Sequence, residues 1–476
     1  MSVSTSGICL LHTVKRHSLG RQFRKVIHHE HRHLFRPGIV AARRNPFSLE
    51  QDGARVFGTW CHDAATFGHS AGGRARLCLG SRRARLVLSD GRPLRDVASG
   101  RGRTAAHAAR HAGAITKREA GWIDALDCWL ADSPTGAIAA LERVLRDTPQ
   151  DTLTAKASHG IRFILGDARG MRRSVERVLH AHGPDHPLRG YLLGCHAFTL
   201  EETGEYAAAK AAGLEGLTYA PDDAWGLHAV AHVHDMRAEP DAGIALIENN
   251  APAWDQSNNF RYHVWWHKAL LHLDRGERDV ALALYDSQIR ADKTDDYRDI
   301  ANATSLLMRL ELEGMNVSNR WDELGALAEN RIDDGCIVFA DLHYQLALSG
   351  AAKGAASEAM LARFARDAKQ SGDMATRVAD PGMAALTGLN AFAEGRYGDA
   401  FMHMADARPK MQTIGGSHAQ RDVFERMTID AGLRSGHLDR AEQILLERLA
   451  LRDGHEDRYT ATRFDQLSRA RRIPAQ

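Results

Sequence analysis

Aromatic residues are scarce in this chain, and long apolar runs are missing. Phe, Trp and Tyr make up 7% of its 476 residues, while Ala and Leu dominate the apolar content. This composition favours helices packed through small side chains over a sheet-rich fold. No apolar run approaches the roughly 18 to 20 residues that a membrane-spanning helix needs. Basic residues follow the apolar start at 1–11 instead of preceding it, so no export signal is predicted.

Cysteines and catalytic motifs are also sparse. The six cysteines lie far apart and form no CxxC pair, which argues against a disulfide framework and against a cysteine–zinc site. A reducing, cytoplasmic location is therefore expected. The chain lacks a P-loop, a GxGxxG turn after a strand, a GxSxG nucleophile elbow and a cysteine in a recognisable nucleophile setting. The common nucleotide-binding and hydrolase motifs therefore assign no reaction.

Acidic residues are rare at the N-terminus. Residues 1–115 contain 20 Lys and Arg against 6 Asp and Glu, whereas the remainder contains 42 against 54. The segment 1–114 shows no sustained helical or strand period and no interleaved aromatics for base stacking. We interpret it as a start or reading-frame artefact or as a disordered basic arm, with an unusual folded domain as the remaining alternative. Nucleic-acid binding is not expected.

A period near 36 residues runs through the rest of the chain. Glycines end predicted helices at Gly204 and Gly276, 72 residues apart, and at Gly395 and Gly436, 41 residues apart. Between such turns, apolar residues recur at three- and four-residue steps, as in amphipathic helices. Repeats of this length are typical of tetratricopeptide-like solenoids. We therefore predict an all-α, helical-hairpin solenoid over 115–455, followed by a basic C-terminal tail at 456–476.

Histidines recur in step with this repeat. His159, His196, His232 and His267 are separated by 37, 36 and 35 residues. Each lies seven to nine residues before a predicted hairpin turn, which places all four on the first helix of a hairpin. First helices line the concave surface of such solenoids. The sequence therefore predicts a ladder of imidazoles along a groove.

Two of these positions are doubled. His228 precedes His232, and His263 precedes His267, by four residues, so each pair shares one face of a helix. The pairs are 35 residues apart and are expected to stack in neighbouring hairpins. Imidazoles at this spacing can share one metal ion, which makes the four histidines a candidate site for a divalent metal. The alternative is that they are hydrogen-bonded core residues repeated with the fold. Further candidate ligands are His343 and Asp341.

A capping box precedes two charged residues near the C-terminus. Ser417 and Gln420 follow a Gly415–Gly416 turn and fit a reciprocal helix cap, which gives them a structural role. Arg421 and Asp422 come next, at the start of an otherwise apolar helix. Two interpretations remain open: both residues pair with a neighbouring helix, or Arg421 faces an anionic ligand in the groove.

Several unusual motifs between Ile115 and Leu451 together resemble the tetratricopeptide repeat protein 38 family. They are Asp223–His232, His263–Leu270, Leu284–Ser287, Asn319–Asp322, Asp341–His343 and Gly415–Phe424. The resemblance implies a tetratricopeptide-like superhelix and no established reaction. Members of the family begin with helical repeats, which residues 1–115 do not resemble. The residues on shared motifs are candidate groove or ligand residues: His159, His228, His232, His263, His267, Asp286, His343, Gln420, Arg421 and Asp422.

Two functions compete for this predicted groove. Most arrays of this fold bind a peptide or protein partner, and by that analogy this chain is expected to do so in a groove lined by His and Trp. The alternative is an enzyme or small-molecule binder that uses the histidine-lined groove, with metal-dependent hydrolysis as the candidate reaction. No membrane association is expected. A divalent metal is the one cofactor that the sequence suggests.

Overall fold

The computed structural model describes residues 116–472, and this part of the chain contains α-helices and no strand. The predicted all-α, helical-hairpin fold is confirmed. The basic segment predicted at 1–114 lies outside the described residues. No helix among the described residues is both long enough and apolar enough to cross a lipid bilayer. The described cysteines, Cys128, Cys195 and Cys336, form no disulfide bond with one another.

Nine helical hairpins follow one another within residues 116–472. Their helix pairs are α1 (Lys117–Leu130) and α2 (Pro134–Asp147), α3 (Thr152–Ile164) and α4 (Ala168–Leu179), α5 (Arg189–Glu201) and α6 (Tyr206–Tyr219), α7 (Ala224–Met236) and α8 (Pro240–Asn249), α10 (Phe260–Asp274) and α11 (Arg278–Leu284), α12 (Tyr297–Leu312) and α13 (Arg320–Glu329), α14 (Val338–Gly350) and α15 (Gly354–Asp367), α17 (Met383–Ala393) and α18 (Tyr397–Ala407), and α19 (His418–Arg434) and α20 (Leu438–Leu451).

Short irregular elements lengthen some repeats. The four-residue α9 (Ala251–Trp254) separates α8 from α10, and a π-turn at Tyr285–Ile289 ends α11. Helix α16 (Asp373–Arg377) with a π-turn at Val378–Gly382 precedes α17, and a 3-10 helix at Arg408–Ile414 follows α18. The last two insertions fall in the longest repeats, with 43 residues between the turns at Ala352 and Gly395 and 41 between those at Gly395 and Gly436.

Left-handed residues close the hairpins. Gly204 and Gly276 have φ values of 84° and 80° at the turns after α5 and α10, where glycine avoids the steric cost of a Cβ atom. Ala238 and Ala352 take the same position after α7 and α14, with φ values of 51° and 54°. The glycine spacing in the sequence therefore marks hairpin turns, and it misses those that alanine fills.

The first helices of successive hairpins pack against each other. Helix α5 contacts α3 and α7, and the series continues through α10, α12, α14 and α17. The crossing within the third hairpin is especially close, because a Cβ atom on Gly190 of α5 would lie 2.7 Å from the carbonyl oxygen of Gly216 on α6. Stacking of this kind sets residues at one repeat phase beside each other in space.

The C-terminal helices pack against hairpins that come much earlier in the chain. Tyr206 donates from its hydroxyl group to the carbonyl oxygen of Leu451 at 2.6 Å, and the amide of Arg458 donates to Asp274 at 2.8 Å. Helix α19 packs on α12, where Arg309 donates to the carbonyl oxygen of Ala419. Part of the inner face formed by first helices is therefore covered by the chain itself.

The segment interpreted as a basic C-terminal tail includes a packed helix. Helix α21 (Arg458–Arg472) buries Tyr459, Thr460, Arg463 and Leu467. Arg463 pairs with Asp430 of α19 at 2.9 Å. Basic composition suggested a tail because the acidic partners of these arginines lie on other helices. The repeat domain therefore extends past residue 455 into α21.

Candidate metal centre

Four histidine side chains converge between α7 and α10. The Nε2 atom of His228 lies 2.9 Å from Nε2 of His232 and 3.0 Å from Nε2 of His263. The Nε2 atoms of His263 and His267 are 3.2 Å apart. One ring nitrogen from each of the four residues lies within 4.8 Å of all the others. The two i,i+4 pairs therefore meet at one point.

This spacing suits a single metal ion. Zinc binds histidine nitrogen at about 2.0–2.1 Å in a tetrahedron, which places the ligand nitrogens roughly 3.3 Å apart. The three closest nitrogen pairs, at 2.9, 3.0 and 3.2 Å, lie near that distance.

Two of the outer ring nitrogens face oxygen atoms. Nδ1 of His263 lies 2.8 Å from Oδ1 of Asn302 on α12, and Nδ1 of His232 lies 3.5 Å from Oε2 of Glu201 on α5. Metal-binding histidines usually direct the second ring nitrogen to such an acceptor, which fixes the tautomer and leaves the inner nitrogen with a lone pair. Glu201 is fully buried, and neither of its oxygens accepts a hydrogen bond from the described residues.

Burial keeps most of these imidazoles neutral. It holds the pKa of His228 and of His267 well below the ordinary value, with the neighbouring histidines adding to the effect. Burial likewise lowers the pKa of His263 to about 3. Burial also opposes the charged form of His232, but the Glu201 carboxylate outweighs it and raises the pKa of that residue. Neutral imidazole is the form that binds metal ions.

Aromatic side chains enclose the four histidines. Trp266 stacks on His263 with ring centroids 5.2 Å apart, and Phe260 meets His228 edge-on at 5.2 Å. The rings of Trp225 and His228 are 5.1 Å apart. This apolar shell excludes water from the nitrogens and strengthens any electrostatic interaction with a bound cation.

Two members of the predicted ladder lie outside the cluster. His159 on α3 is buried beside Phe198 and Trp225, with both centroid distances 5.7 Å, and its ring nitrogens have no partner among the described residues. His196 on α5 is half-buried and faces Glu176 of α4 at 3.6 Å. Helix α5 therefore contributes Glu201 to the surroundings of the site and no histidine.

Other candidate residues have partners elsewhere. Asp286 was expected in the groove, but it is exposed in the π-turn after α11 and pairs with Arg320 at 2.6 Å. His343 is buried on α14, donates from Nδ1 to the carbonyl oxygen of Phe339 at 2.7 Å, and lies outside the four-histidine group. Asp341 pairs with Arg363 at 2.7 Å. None of the three is placed to join the candidate metal ligands.

The charged residues after the capping box do not pair with each other. Ser417 and Gln420 form the predicted reciprocal cap of α19. Arg421 donates to Glu202 at 3.2 Å and to the carbonyl oxygen of Gly416. Asp422 instead accepts hydrogen bonds from two arginines of α19 and α20, Arg426 at 2.6 Å and Arg448 at 2.8 Å.

Glu201 and Asn302 are the residues near the centre that sequence analysis missed. Asn302 lies 35 residues after His267, so the repeat phase alone could have identified it as the next position of the ladder. Glu201 shares no phase with the histidines and approaches His232 only because α5 packs on α7. No sequence pattern marks that contact.

No protein-family model matches this chain. Among solved structures, 75% of the chain is similar to the whole of the chain described as "Crystal Structure of P58(IPK) TPR Domain at 2.5 A", at 9% sequence identity and a TM-score of 0.22. At that score the likeness does not support any function or partner. The resemblance to the tetratricopeptide repeat protein 38 family stays a prediction.

Proposed function

We propose that this protein is a metal-binding helical-repeat protein in which His228, His232, His263 and His267 hold one divalent transition-metal ion. The observation that carries the proposal is that three pairs of their Nε2 atoms lie 2.9–3.2 Å apart and that one ring nitrogen of each residue lies within 4.8 Å of all the others. Imidazole ligands suit zinc, copper and nickel. Magnesium and calcium prefer oxygen ligands, which these four side chains do not offer.

The proposed ion has a structural role. Four nitrogen ligands complete a tetrahedral shell, whereas catalytic zinc sites keep one position for water or substrate. An ion at this point would tie α7 to α10 and so connect two neighbouring hairpins. This arrangement favours a metal-stabilised scaffold over metal-dependent hydrolysis, the alternative function that the histidines suggested.

A peptide or protein partner forms the second part of the proposal. Stacked helical hairpins expose long surfaces that commonly bind other proteins, and this support is an analogy at the level of the fold. Because α19 packs on α12, the covered surface of α12 is not available to such a partner. The four-histidine cluster would keep the neighbouring hairpins in register for binding.

Metal titration tests the first part of the proposal. Protein stripped of metal is loaded with Co²⁺ or Zn²⁺, and bound metal is counted by elemental analysis. We expect one ion per chain in the wild type and none in the His232→Ala, His267→Ala double variant. His196→Ala is the matched control, since His196 shares the repeat phase but faces Glu176. A wild-type chain that binds no stoichiometric ion would refute the metal proposal.

The Co²⁺ spectrum then separates structural from catalytic use. A closed four-nitrogen site gives tetrahedral visible absorption that small anions such as azide do not change. A site with an open position binds the anion, and its absorption bands shift. A shift with azide, together with hydrolytic turnover by the loaded protein, would favour the enzyme alternative over the scaffold.

A further inference from the structure

A cavity of about 370 Å³ lies between the end of α7, helix α17, the 3-10 helix after α18, and helices α19 and α20. Its volume falls within the range of small-molecule sites, roughly 300–1,000 Å³. The four-histidine cluster does not line it. A ligand in this cavity would therefore be independent of the proposed metal ion.

One part of the cavity wall is apolar and rich in methionine. Leu389, Met404 and Phe424 are buried there, and Met236 and Met411 add two further thioethers. Methionine side chains are flexible and polarizable, and they adapt to apolar ligands of different shape. This wall fits an aliphatic or aromatic tail better than a fixed polar group.

Another part of the wall carries charged side chains. They are four arginines and three carboxylates, and each arginine pairs with a carboxylate of the chain. They are Arg408, Arg421, Arg448, Arg452, Asp235, Asp422 and Glu425. What this part of the wall offers a ligand is therefore guanidinium N–H donors that remain unused.

Arg452 supplies a donor that the protein leaves unused. Its side chain is 5% exposed, and its Nε atom has no hydrogen-bond partner among the described residues. Its Nη2 atom donates to the carbonyl oxygen of Asp235, and Nη1 lies 3.7 Å from the sulfur of Met236. A buried donor without an acceptor costs free energy unless a ligand or water satisfies it.

Arg421 also reaches the cavity wall. Its two hydrogen bonds, to Glu202 and to Gly416, use two of the five N–H donors of the guanidinium group. At the rim, Pro409 and Gln412 are exposed, and Leu451 is 50% exposed. A ligand can therefore enter past this exposed rim and meet arginine inside.

We propose that this cavity binds a small amphipathic carboxylate, with the carboxylate near Arg421 and Arg452 and an apolar tail against the methionine-rich wall. Arginine is suited to this head group because its planar donors match both carboxylate oxygens. The unused Nε donor of Arg452, the remaining N–H donors of Arg421 and the apolar wall together point to this ligand class.

Calorimetry with a matched pair of probes tests the proposal. Octanoate and 1-octanol have the same chain length and differ in charge. We expect the full-length chain to bind one octanoate and to bind 1-octanol at least tenfold more weakly. Equal affinity for the two probes would remove the anion-binding claim, and no binding of either would overturn the whole proposal.

Two variants locate the bound octanoate. Arg421→Gln removes a charge at the wall and is expected to weaken octanoate binding at least tenfold, with Arg143→Gln on the exposed face of α2 as its control. Met411→Trp narrows the cavity near its rim and is expected to abolish binding, with exposed Met402→Trp as its control. Unchanged affinity in both cavity variants would place the octanoate elsewhere and refute the assignment.

Discussion

Two buried polar clusters illustrate different ways of satisfying polar atoms inside a helical array. In the arginine–aspartate cluster of α19–α21, all four carboxylate oxygens of Asp422 and Asp457 accept from arginines. In the four-histidine cluster of α7 and α10, ring nitrogens instead face one another. The first cluster neutralises its charges with groups of the chain itself. The second brings four ring nitrogens, all of them potential metal ligands, to a common point.

The two clusters differ in whether they need a bound ion for their full stability. Buried ion pairs keep their stability only while each charge has its partner, so the arginine–aspartate cluster is complete when the chain has folded. Converging neutral imidazoles gain most when a cation occupies the space between them. The comparison therefore predicts that removing a residue damages the first cluster, whereas removing a metal ion damages the second.

The largest expected effect is in the arginine–aspartate cluster. Asp457 is buried and accepts two hydrogen bonds from Arg448, at 2.6 and 2.8 Å. Asp457→Asn removes one of the two carboxylates that pair with buried Arg448, and we expect the free energy of unfolding to fall by about 3–5 kcal/mol. Urea denaturation followed by circular dichroism measures the change.

An exposed pair provides the control for this variant. Asp439 pairs with Arg471 at 2.7 Å on the surface, where ion pairs contribute about 0–1 kcal/mol. Asp439→Asn is therefore expected to have little effect. Equal destabilisation by the two variants would show that burial does not distinguish the two pairs.

Acid should reduce the effect of the Asp457→Asn variant. Burial raises the pKa of Asp457, but Arg448 and Arg452 outweigh it and hold the pKa well below the ordinary value. A carboxylate whose pKa is lower in the folded than in the unfolded state contributes its full stabilisation above the unfolded-state pKa of about 3.9. This contribution is lost as the pH falls from that value towards the folded-state pKa. We expect the difference in unfolding free energy between wild type and variant to narrow below about pH 4. A constant difference would contradict this titration.

Metal loading is expected to raise the free energy of unfolding by slightly less than Asp457→Asn lowers it. A ligand that binds only the folded chain adds about 2.7 kcal/mol at one hundred times its Kd and about 4.1 kcal/mol at one thousand times. Zn²⁺ should therefore raise the melting temperature of the wild type and of His196→Ala. The His232→Ala, His267→Ala variant should not respond. A similar rise in all three proteins would indicate a metal site elsewhere.

A variant of Asn302 tests whether residues around the four histidines contribute to metal affinity. Its side-chain oxygen lies 2.8 Å from Nδ1 of His263, and loss of such a partner typically costs 10–100-fold in metal affinity. We expect that loss in Asn302→Leu, measured by competition with a zinc chelator. Asn330→Leu, at the exposed end of α13, is the control. Equal affinity in the two variants would remove Asn302 from the site.

The smallest expected effect concerns the cap of α19. Ser417 accepts from the amide of Gln420 at 3.4 Å, and its own amide donates to that side chain at 3.0 Å. Ser417→Ala is expected to cost about 1 kcal/mol of unfolding free energy and to leave zinc affinity unchanged. Ser287→Ala, at an exposed serine, is the control. A change in zinc affinity would mean that the cap also positions the histidines.

The four-histidine cluster was predictable because two simple periods define it. Four-residue spacing places His228 and His232 on one face, and a 35-residue repeat places His263 and His267 beside them. Asn302 continues the same repeat phase. The hairpin fold was predictable for a similar reason. The periodicity of apolar residues and the glycines at turns are both short-range sequence patterns.

Contacts across distant repeats were not predictable from such patterns. Asp286 lies on a motif that resembles the tetratricopeptide repeat protein 38 family and was predicted to line the groove. It is instead exposed and pairs with Arg320. Arg421 and Asp422 are adjacent in sequence, but their partners lie on different helices, Glu202 on one side and Arg448 on the other. Neither partner could be assigned before the packing of α19 was known.

Contacts between the C-terminal helices and early hairpins also limit how this chain can change in length. They join residues 184 to 245 positions apart, as between Arg458 and Asp274 and between Tyr206 and Leu451. In an open array each repeat touches only its neighbours, so repeats can be added or lost with local consequences. Here an additional hairpin between the early repeats and α19 would move α19–α21 away from the residues that they contact. The contacts between the C-terminal helices and the early hairpins therefore constrain the number of repeats. A chain that gained or lost a hairpin would need compensating changes on both sides of these contacts.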